Sequence, residues 1–432
     1  MALACGRIAR AQCFGMPARR ARRVARRRRR QSRGAGRGGV AGRLGRPAAP
    51  APPRCLPLRP DRPTGRGGQQ MSDLKFAYWV PNVSGGLVIS KLPQRTSHSP
   101  AYNIDLAKAA EEHGFEYALT QVRYLASYGA DAQHESTSFS QLLLAHTERL
   151  KVIAAVHPGF WQPAVLAKLA ATAQEWSGNR FALNVVSGWF KKEFTNLGEP
   201  WLDHEERYRR SEEFIEVLKG AWTTDDLTFR GDFYRTRDLT FRPQPPVPPE
   251  VFQGGNSTSA RRMGGRLSDW YFMNGGTVDA IAEQVREVES YGREFGRRPR
   301  FGLNGFAVVR DTEEEARQVV QDIIDHADAD KVRDFGEAVK AAGRATADGK
   351  GMWAGSDFSD LVQYNDGFKT GLVGTAEQVA QRIVDYKRVG VDLLLLGFLH
   401  VREEVERFGT QVIPLVRELE ASDRAVRDAT PA

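Results

Sequence analysis

Eight consecutive residues, Gly254, Gly255, Asn256, Ser257, Thr258, Ser259, Ala260 and Arg261, carry the clearest chemical signal in this 432-residue chain. The two glycines let backbone come close to a ligand, and Asn256 to Ser259 supply amides and hydroxyls where a helix opens, with Arg261 in its first turns. Free N–H groups, hydroxyls and a guanidinium at one helix start make an anion site. The same residues also suit an ordinary Ser/Thr helix cap. No Gly-Lys-Ser/Thr follows, so the segment is not a P-loop. His157, before a Pro-Gly turn, has the chemistry of a general acid and equally that of a structural turn residue. Tyr208, in the charged run 205–210, has the length to reach a phosphate, while the charges around it read as a solvated helix face. Trp79, Phe160, Trp161, Trp189 and Phe190 suit either a dry wall around a reactive centre or plain core packing. None of the eight histidines shows HxxxH or HExxH spacing, which predicts no metal site.

These residues need a scaffold that brings distant segments to one face. From Leu74 onward, short apolar runs alternate with amphipathic stretches, the pattern of a parallel sheet with crossover helices. Strands are expected at 75–80, 115–121, 151–156 (KVIAAV), 181–186 (FALNVV), 251–253, 270–273, 301–309 and 391–396 (VDLLLL). Helices are expected at 102–113, 161–176, 205–222, 278–295, 313–325 and 403–419, and one more from Thr375, whose Thr-Ala-Glu-Gln start has a capping-box pattern. Eight strands with intervening helices over this length predict a (β/α)8 TIM barrel with insertions after strands four and seven. The first insertion holds a pair of short strands within 227–242. The second is a glycine-studded, irregular stretch from Phe335 to Leu372 that reads as a lid. Strand one is followed by Pro81, Asn82, Val83, Ser84, Gly85 and Gly86, which does not fit the GxGxxG fingerprint of an open dinucleotide-binding sheet. In a barrel the loops after the strands carry function. That face then gathers Trp79 from strand one, Gln121 from strand two, His157 from strand three, Asn184 and Trp189 from strand four and Gly255 and Ser257 from strand five, a lining suited to a large flat heteroaromatic ligand.

Charge divides the chain at Met71. Residues 1–70 hold nineteen arginines, no lysine and one acid, Asp61. That makes the segment +18, so the rest of a +9 chain carries −9. The basic balance therefore gives no reason to expect nucleic acid as a partner of the folded part. The leader reads as upstream sequence behind a misplaced start, with a targeting segment or an RNA- or lipid-binding arm as the alternatives. Residues 71–432 read as the single catalytic domain. All three cysteines, Cys5, Cys13 and Cys55, lie in the leader. The remainder can have no disulfide framework, thiolate zinc site or cysteine nucleophile, and a reducing cytoplasm fits that. No apolar run is long enough to span a membrane.

Longer strings carry a family resemblance. FAYWVPNVSGGLVISKLPQRT, FEYALTQVRY, KVIAAVHPGFWQPA, NVVSGWFKKEFTNLGEPWLDHEERYRRSEEF and the GGNSTSAR turn resemble the bacterial-luciferase-like flavin monooxygenases, and within them the dimethylsulfone monooxygenases. The resemblance runs from about residue 74 to 420. It implies a TIM barrel, reduced FMN (FMNH2) as cosubstrate, O2 as oxidant, a small organosulfur substrate, a separate NAD(P)H:FMN reductase and a homo-oligomer, dimer or tetramer. It places Asn184 near the flavin ring, Glu193 where the flavin site is ordered, Tyr208 and Ser257 at the phosphate, and Arg261 beside them. The strand-end reading adds Trp79, Gln121, His157, Trp189 and Gly255 to that site, with His157 either a proton donor or a structural turn residue. Sulfonate-cleaving relatives use a histidine and basic residues around the first insertion. Asp232, Phe233, Tyr234 and Arg235 stand there in this chain, which weighs against a sulfonate anion as substrate. The alternatives are an alkanesulfonate monooxygenase, an F420-dependent oxidoreductase on the same barrel, or, more remotely, a non-catalytic flavin- or RNA-binding protein.

Overall fold

The computed structural model describes residues 72–429, apart from 128, 345, 347–350, 352 and 354. The leader, with its three cysteines, lies outside the described residues, as do Lys350 and Met352 of the second insertion.

Eight parallel strands close into a barrel: β1 (Lys75–Val80), β2 (Tyr117–Thr120), β3 (Lys151–Val156), β4 (Phe181–Val185), β5 (Glu250–Gly254), β6 (Trp270–Met273), β7 (Arg300–Phe306) and β10 (Leu393–Gly397). β10 pairs with both β7 and β1, which closes the ring. Both faces of each strand are covered, so the strands read as nearly unbroken apolar runs. Inward residues such as Leu119, Ile153, Phe252, Phe272 and Leu395 form an inner core, and outward ones join the helices in a larger outer core. Phe252 stacks between Trp270 and Phe272, with centroids 5.2 and 5.1 Å away.

The N-terminal end of the barrel is plugged by a charged cluster. Glu250 accepts from Tyr117 at 3.0 Å, Lys151 at 3.0 Å, Trp270 at 3.1 Å and Arg300 at 2.5 Å. Its burial works to raise the carboxyl's pKa, but the Arg300 and Lys151 charges outweigh that and hold it down at about 2.

Capping residues set several helix starts. Asp203 and Glu206 form a capping box at His204–Thr223, and Thr375 and Gln378 do so at Ala376–Arg388, where the sequence pattern places it. The first insertion lies between β4 and β5. It holds the helices Lys191–Asn196 and His204–Thr223 and an antiparallel hairpin bridged at Leu227–Leu239 and Arg230–Arg235. The second lies between β7 and β10. There β8 (Val308–Val309) pairs in parallel with β9 (Val373–Gly374).

Two expectations change. The apolar run 301–309 is not one strand: it leaves the barrel at Phe306, and Val308 turns to β9. Apolarity alone does not mark where a strand changes partner. Nor is the second insertion irregular from Phe335. A helix spans Ala329–Arg344, burying Val332, Phe335 and Val339 at i, i+3 and i+7. Gly336, which reads as a breaker, packs closely instead, since a Cβ there would come to 3.0 Å from Leu361. No described helix is long and apolar enough to cross a membrane.

Candidate active site

A cavity opens at the C-terminal ends of the strands, with about 1240 Å³ of space not filled by protein, part of it open to solvent. A smaller compartment of about 540 Å³ adjoins it at the β5 turn. The two share Val186, Trp189, Gly254 and Trp353 as lining. The result is an elongated site, broad over the barrel mouth and narrow beside the helix Thr258–Leu267.

The broad end is walled by amides and aromatics. Asn184, on β4, lines it, and its buried Oδ1 has no hydrogen-bond partner among the described residues. A buried acceptor left this way costs free energy unless a ligand donor meets it. The Trp79 indole donates to Asn304 Oδ1 at 2.6 Å, and Asn304 donates onward to the Asn365 carbonyl at 3.0 Å. This chain ties β1 and β7 to the second insertion. Gln121 is held by Asn82, whose Oδ1 accepts its backbone N–H at 2.9 Å. The roof is an aromatic cluster in which Trp189 meets Phe335 and Trp353 edge-on at 5.7 and 5.5 Å. Arg123 lies over the Trp189 ring at 4.6 Å.

The narrow end is built around the β5 turn. Gly255 has φ +140°, and a Cβ there would stand 2.6 Å from the Tyr208 hydroxyl and 2.7 Å from the Ala260 Cβ. Ser257 is buried and caps the helix, its Oγ accepting from the Ala260 N–H at 3.3 Å. The cap reading of this turn is therefore correct, and it leaves the Ser257 hydroxyl proton for another acceptor. Tyr208 lines the compartment with His204 and Arg207. Arg207 is only 3% exposed, with its Nε unpartnered among the described residues and its guanidinium 4.1 Å from the Trp201 ring. Burial lowers its pKa.

Reading 205–210 as a solvated face missed His204 and Arg207, and Arg210 too is buried. The signal was periodicity: Arg207, Ser211, Phe214 and Leu218 fall on one face at i, i+4, i+7 and i+11.

Trp79, Gln121, Asn184, Trp189, Tyr208, Gly255 and Ser257 thus meet at one site. Three expected site residues do not line it. Arg261 pairs with Glu287 and donates to the Asn256 carbonyl at 3.0 Å, so it braces the turn from outside. His157 and Glu193 lie behind the wall, almost fully buried, with Nε2 and Oε2 3.4 Å apart.

The arrangement fits a flat polar ring system with an anionic tail. The broad end offers aromatic faces and an orphaned amide acceptor. The narrow end offers a glycine cradle, two hydroxyls and a buried cation. No described side chain near the cavity is set up as an activated nucleophile, so difficult chemistry falls to what binds there.

Comparison with known proteins agrees. The family model for luciferase-like monooxygenases matches residues 74–393. The FMNH2-dependent dimethylsulfone monooxygenase of Pseudomonas putida is 58% identical over 354 residues, covering 82% of this chain and 98% of that protein. Its counterpart in Pseudomonas fluorescens (strain Pf0-1) is 56% identical over 359 residues, covering 83% and 99%. Among solved structures, the EDTA monooxygenase of Chelativorans sp. BNC1 superposes with a TM-score of 0.68 at 19% identity, covering 80% of this chain and 94% of that one, a likeness of fold. With a matching barrel, a ring-and-anion site at its C-terminal face and relatives of this identity along nearly their whole length, the chain belongs to the luciferase-like monooxygenase family.

Proposed function

We propose that this chain is an FMNH2-dependent monooxygenase that cleaves a C–S bond of dimethylsulfone, giving methanesulfinate and formaldehyde. One oxygen of O2 enters the product and the other leaves as water. The observation that carries the reading is 56–58% identity to dimethylsulfone monooxygenases over 98–99% of their length. Reduced flavin, when bound, supplies the electrons and the oxygen-activating chemistry.

The protein's own work is positioning and exclusion. Tyr208 and Ser257, with Arg207 and His204 beside them, hold the phosphate at the narrow end. Asn184 and Gln121 orient the ring, Asn184 Oδ1 accepting from a ring N–H. Trp79, Trp189, Phe335 and Trp353 keep water from the reacting atoms. Amides line the substrate side, namely Gln133, Asn274, Asn304 and Asn365. They can hydrogen-bond a neutral sulfone without requiring a charge on it.

A separate NAD(P)H:FMN reductase supplies the reduced flavin, since strand β1 leads into no dinucleotide fingerprint. The enzyme works as a cytoplasmic homo-oligomer, and residues 1–70 take no part in the chemistry.

The test is anaerobic loading with FMNH2, then O2 and dimethylsulfone, with formaldehyde and methanesulfinate quantified. Stoichiometric products support the reading. Turnover only with F420H2, or only with an alkanesulfonate, overturns it. A chain starting at Met71 should retain full activity.

A further inference from the structure

His157 Nδ1 stands 2.8 Å from the Val186 carbonyl oxygen. A carbonyl only accepts, so Nδ1 carries a proton. Nε2 then points to Glu193 Oε2 at 3.4 Å, within ion-pair reach. Both side chains are at most 1% exposed, and neither facing atom has a hydrogen-bond partner among the described residues. A neutral ring would turn its Nε2 lone pair toward a carboxylate lone pair in a fully buried site, which costs both desolvation and repulsion. The contact is attractive only with a proton between the two atoms.

We propose that His157 and Glu193 share one proton, and that the protonated pair is a positioning device joining the β2, β3 and β4 walls of the cavity. The second Glu193 oxygen, Oε1, accepts from the Tyr124 and Leu125 backbone N–H groups at 2.6 and 3.2 Å. That loop carries Gln121, Val122 and Arg123 into the cavity lining. Glu193 itself rides on the short helix Lys191–Asn196, just after Trp189, and His157 anchors Val186. One buried carboxylate therefore fixes three strand ends at once.

The charged surroundings favour the imidazolium–carboxylate form. Arg123 approaches from the β2 loop. Arg210, paired with Glu199 at 2.5 Å, packs against Phe194 from the helix His204–Thr223. Among the described residues Tyr124 and, beyond it, Glu135 also face the pair. Burial raises the Glu193 pKa, but His157, Arg123 and the Tyr124 amide outweigh it, and the carboxyl stays below the usual range. Loss of the shared proton would set two lone pairs against each other, free Glu193 from its two amides and loosen the wall.

The test uses the full chain without flavin. Histidine labelled with 15N, with His157 assigned by loss of its signals in His157→Gln, should show both ring nitrogens protonated, or Nε2 engaged by a carboxylic acid. The Tyr124 amide shift should follow the loss of that proton. In Glu193→Gln the carboxamide can donate to Nε2 and still accept from Tyr124 and Leu125, so that transition should vanish while the fold persists. FMN affinity should fall about tenfold across the transition in the parent and stay within about twofold in Glu193→Gln. Only this last arm rests on the flavin reading, so a failure of dimethylsulfone turnover leaves the proton count standing. A bare Nε2 beside an ionised Glu193 at neutral pH overturns the proposal. So does a Tyr124 amide that ignores the titration of His157. The parent spectra decide the matter even if Glu193→Gln does not fold.

Discussion

The Tyr208 hydroxyl rests against the Cα of Gly255, so close that a Cβ built on that glycine would stand 2.6 Å from the phenolic oxygen. The first insertion meets the β5 turn at this contact, reinforced by Ser259 donating to Glu205 at 2.7 Å, and the narrow compartment is shaped there. Gly255→Ala would also meet the Ala260 Cβ at 2.7 Å and would hold alanine at φ +140°. Strain of this kind costs about 1–3 kcal/mol. FMN binding should weaken at least about tenfold, by fluorescence titration, as the turn shifts to make room. Tyr208→Phe in the same background should restore little, because the Ala260 clash remains. Unchanged binding in Gly255→Ala would mean that this turn does not cradle the ligand.

Ser257 has two duties that one substitution pair can separate. Its Oγ caps the helix Thr258–Leu267, and its hydroxyl proton is available to a phosphate oxygen. Ser257→Ala loses both, and should cost about 1 kcal/mol of stability and 1–2 kcal/mol of FMN affinity. Ser257→Asp keeps the cap but sets a carboxylate against the phosphate. Its melting temperature should stay near the parent's while FMN binding is nearly lost. Riboflavin binding should change little in Ser257→Ala. Equal losses for FMN and riboflavin would place the phosphate elsewhere.

Much of this was legible in the sequence, and the failures have physical causes. KVIAAV, FALNV and LLLLG announce buried parallel strands because both faces are covered, and Thr375 with Gln378 announces a helix start because the box is local. Asn184, Trp189, Gly255 and Ser257 are findable because they stand at or just beyond strand ends in a barrel whose loops converge. Local pattern cannot say which way a side chain turns once there. Arg261 follows the anion-site turn in sequence, yet Glu287, twenty-six residues on, draws it outward. His157 at the end of β3 and Glu193 on the helix after β4 lie behind the cavity wall and pair with each other. The Ala329–Arg344 helix is hidden in the sequence by its glycines, and the close packing of Gly336 against Leu361 is a tertiary fact.

The Glu250 cluster predicts an acid-sensitive barrel. The carboxyl ordinarily titrates near 4.5 and is held at about 2 in the fold. A depressed carboxylate contributes stability that is fully present above pH 4.5 and lost as pH falls toward 2. Lys151 and Arg300 are 36% and 44% exposed, so solvent screening trims the contribution to about 2 kcal/mol. Glu250→Gln should lower urea stability by that amount at pH 7. The gap to the parent should close between pH 4.5 and 2. A constant gap across that window would assign the loss to packing against Trp270 instead. Activity per folded molecule at pH 7 should be unchanged, because the cluster lies at the barrel end opposite the cavity.

The last prediction concerns Trp353, which holds φ +60° although it is neither glycine nor asparagine. A bulky residue in that region costs about 1–2 kcal/mol, so the surroundings must fix it there. Its indole donates to the Tyr364 carbonyl at 2.8 Å, and its ring packs edge-on against Phe335 at 5.6 Å and Trp189 at 5.5 Å. The adjoining segment is stapled by Asp366, which accepts from Ser356 at 2.6 Å and pairs with Lys369 at 3.2 Å. Trp353 lines both compartments, so it is the part of the roof that covers the junction of ring and tail. Trp353→Gly removes the roof and the backbone strain together, and the two effects on stability should partly cancel. Melting temperature should therefore move little. Coupling should suffer, because water reaching bound, oxygen-exposed flavin diverts reducing equivalents to hydrogen peroxide. Peroxide formed per FMNH2 consumed should rise several-fold and formaldehyde should fall in proportion, with Trp353→Phe lying between. If coupling stays at the parent's value in Trp353→Gly while FMN affinity drops, Trp353 is a binding contact and the roof lies elsewhere.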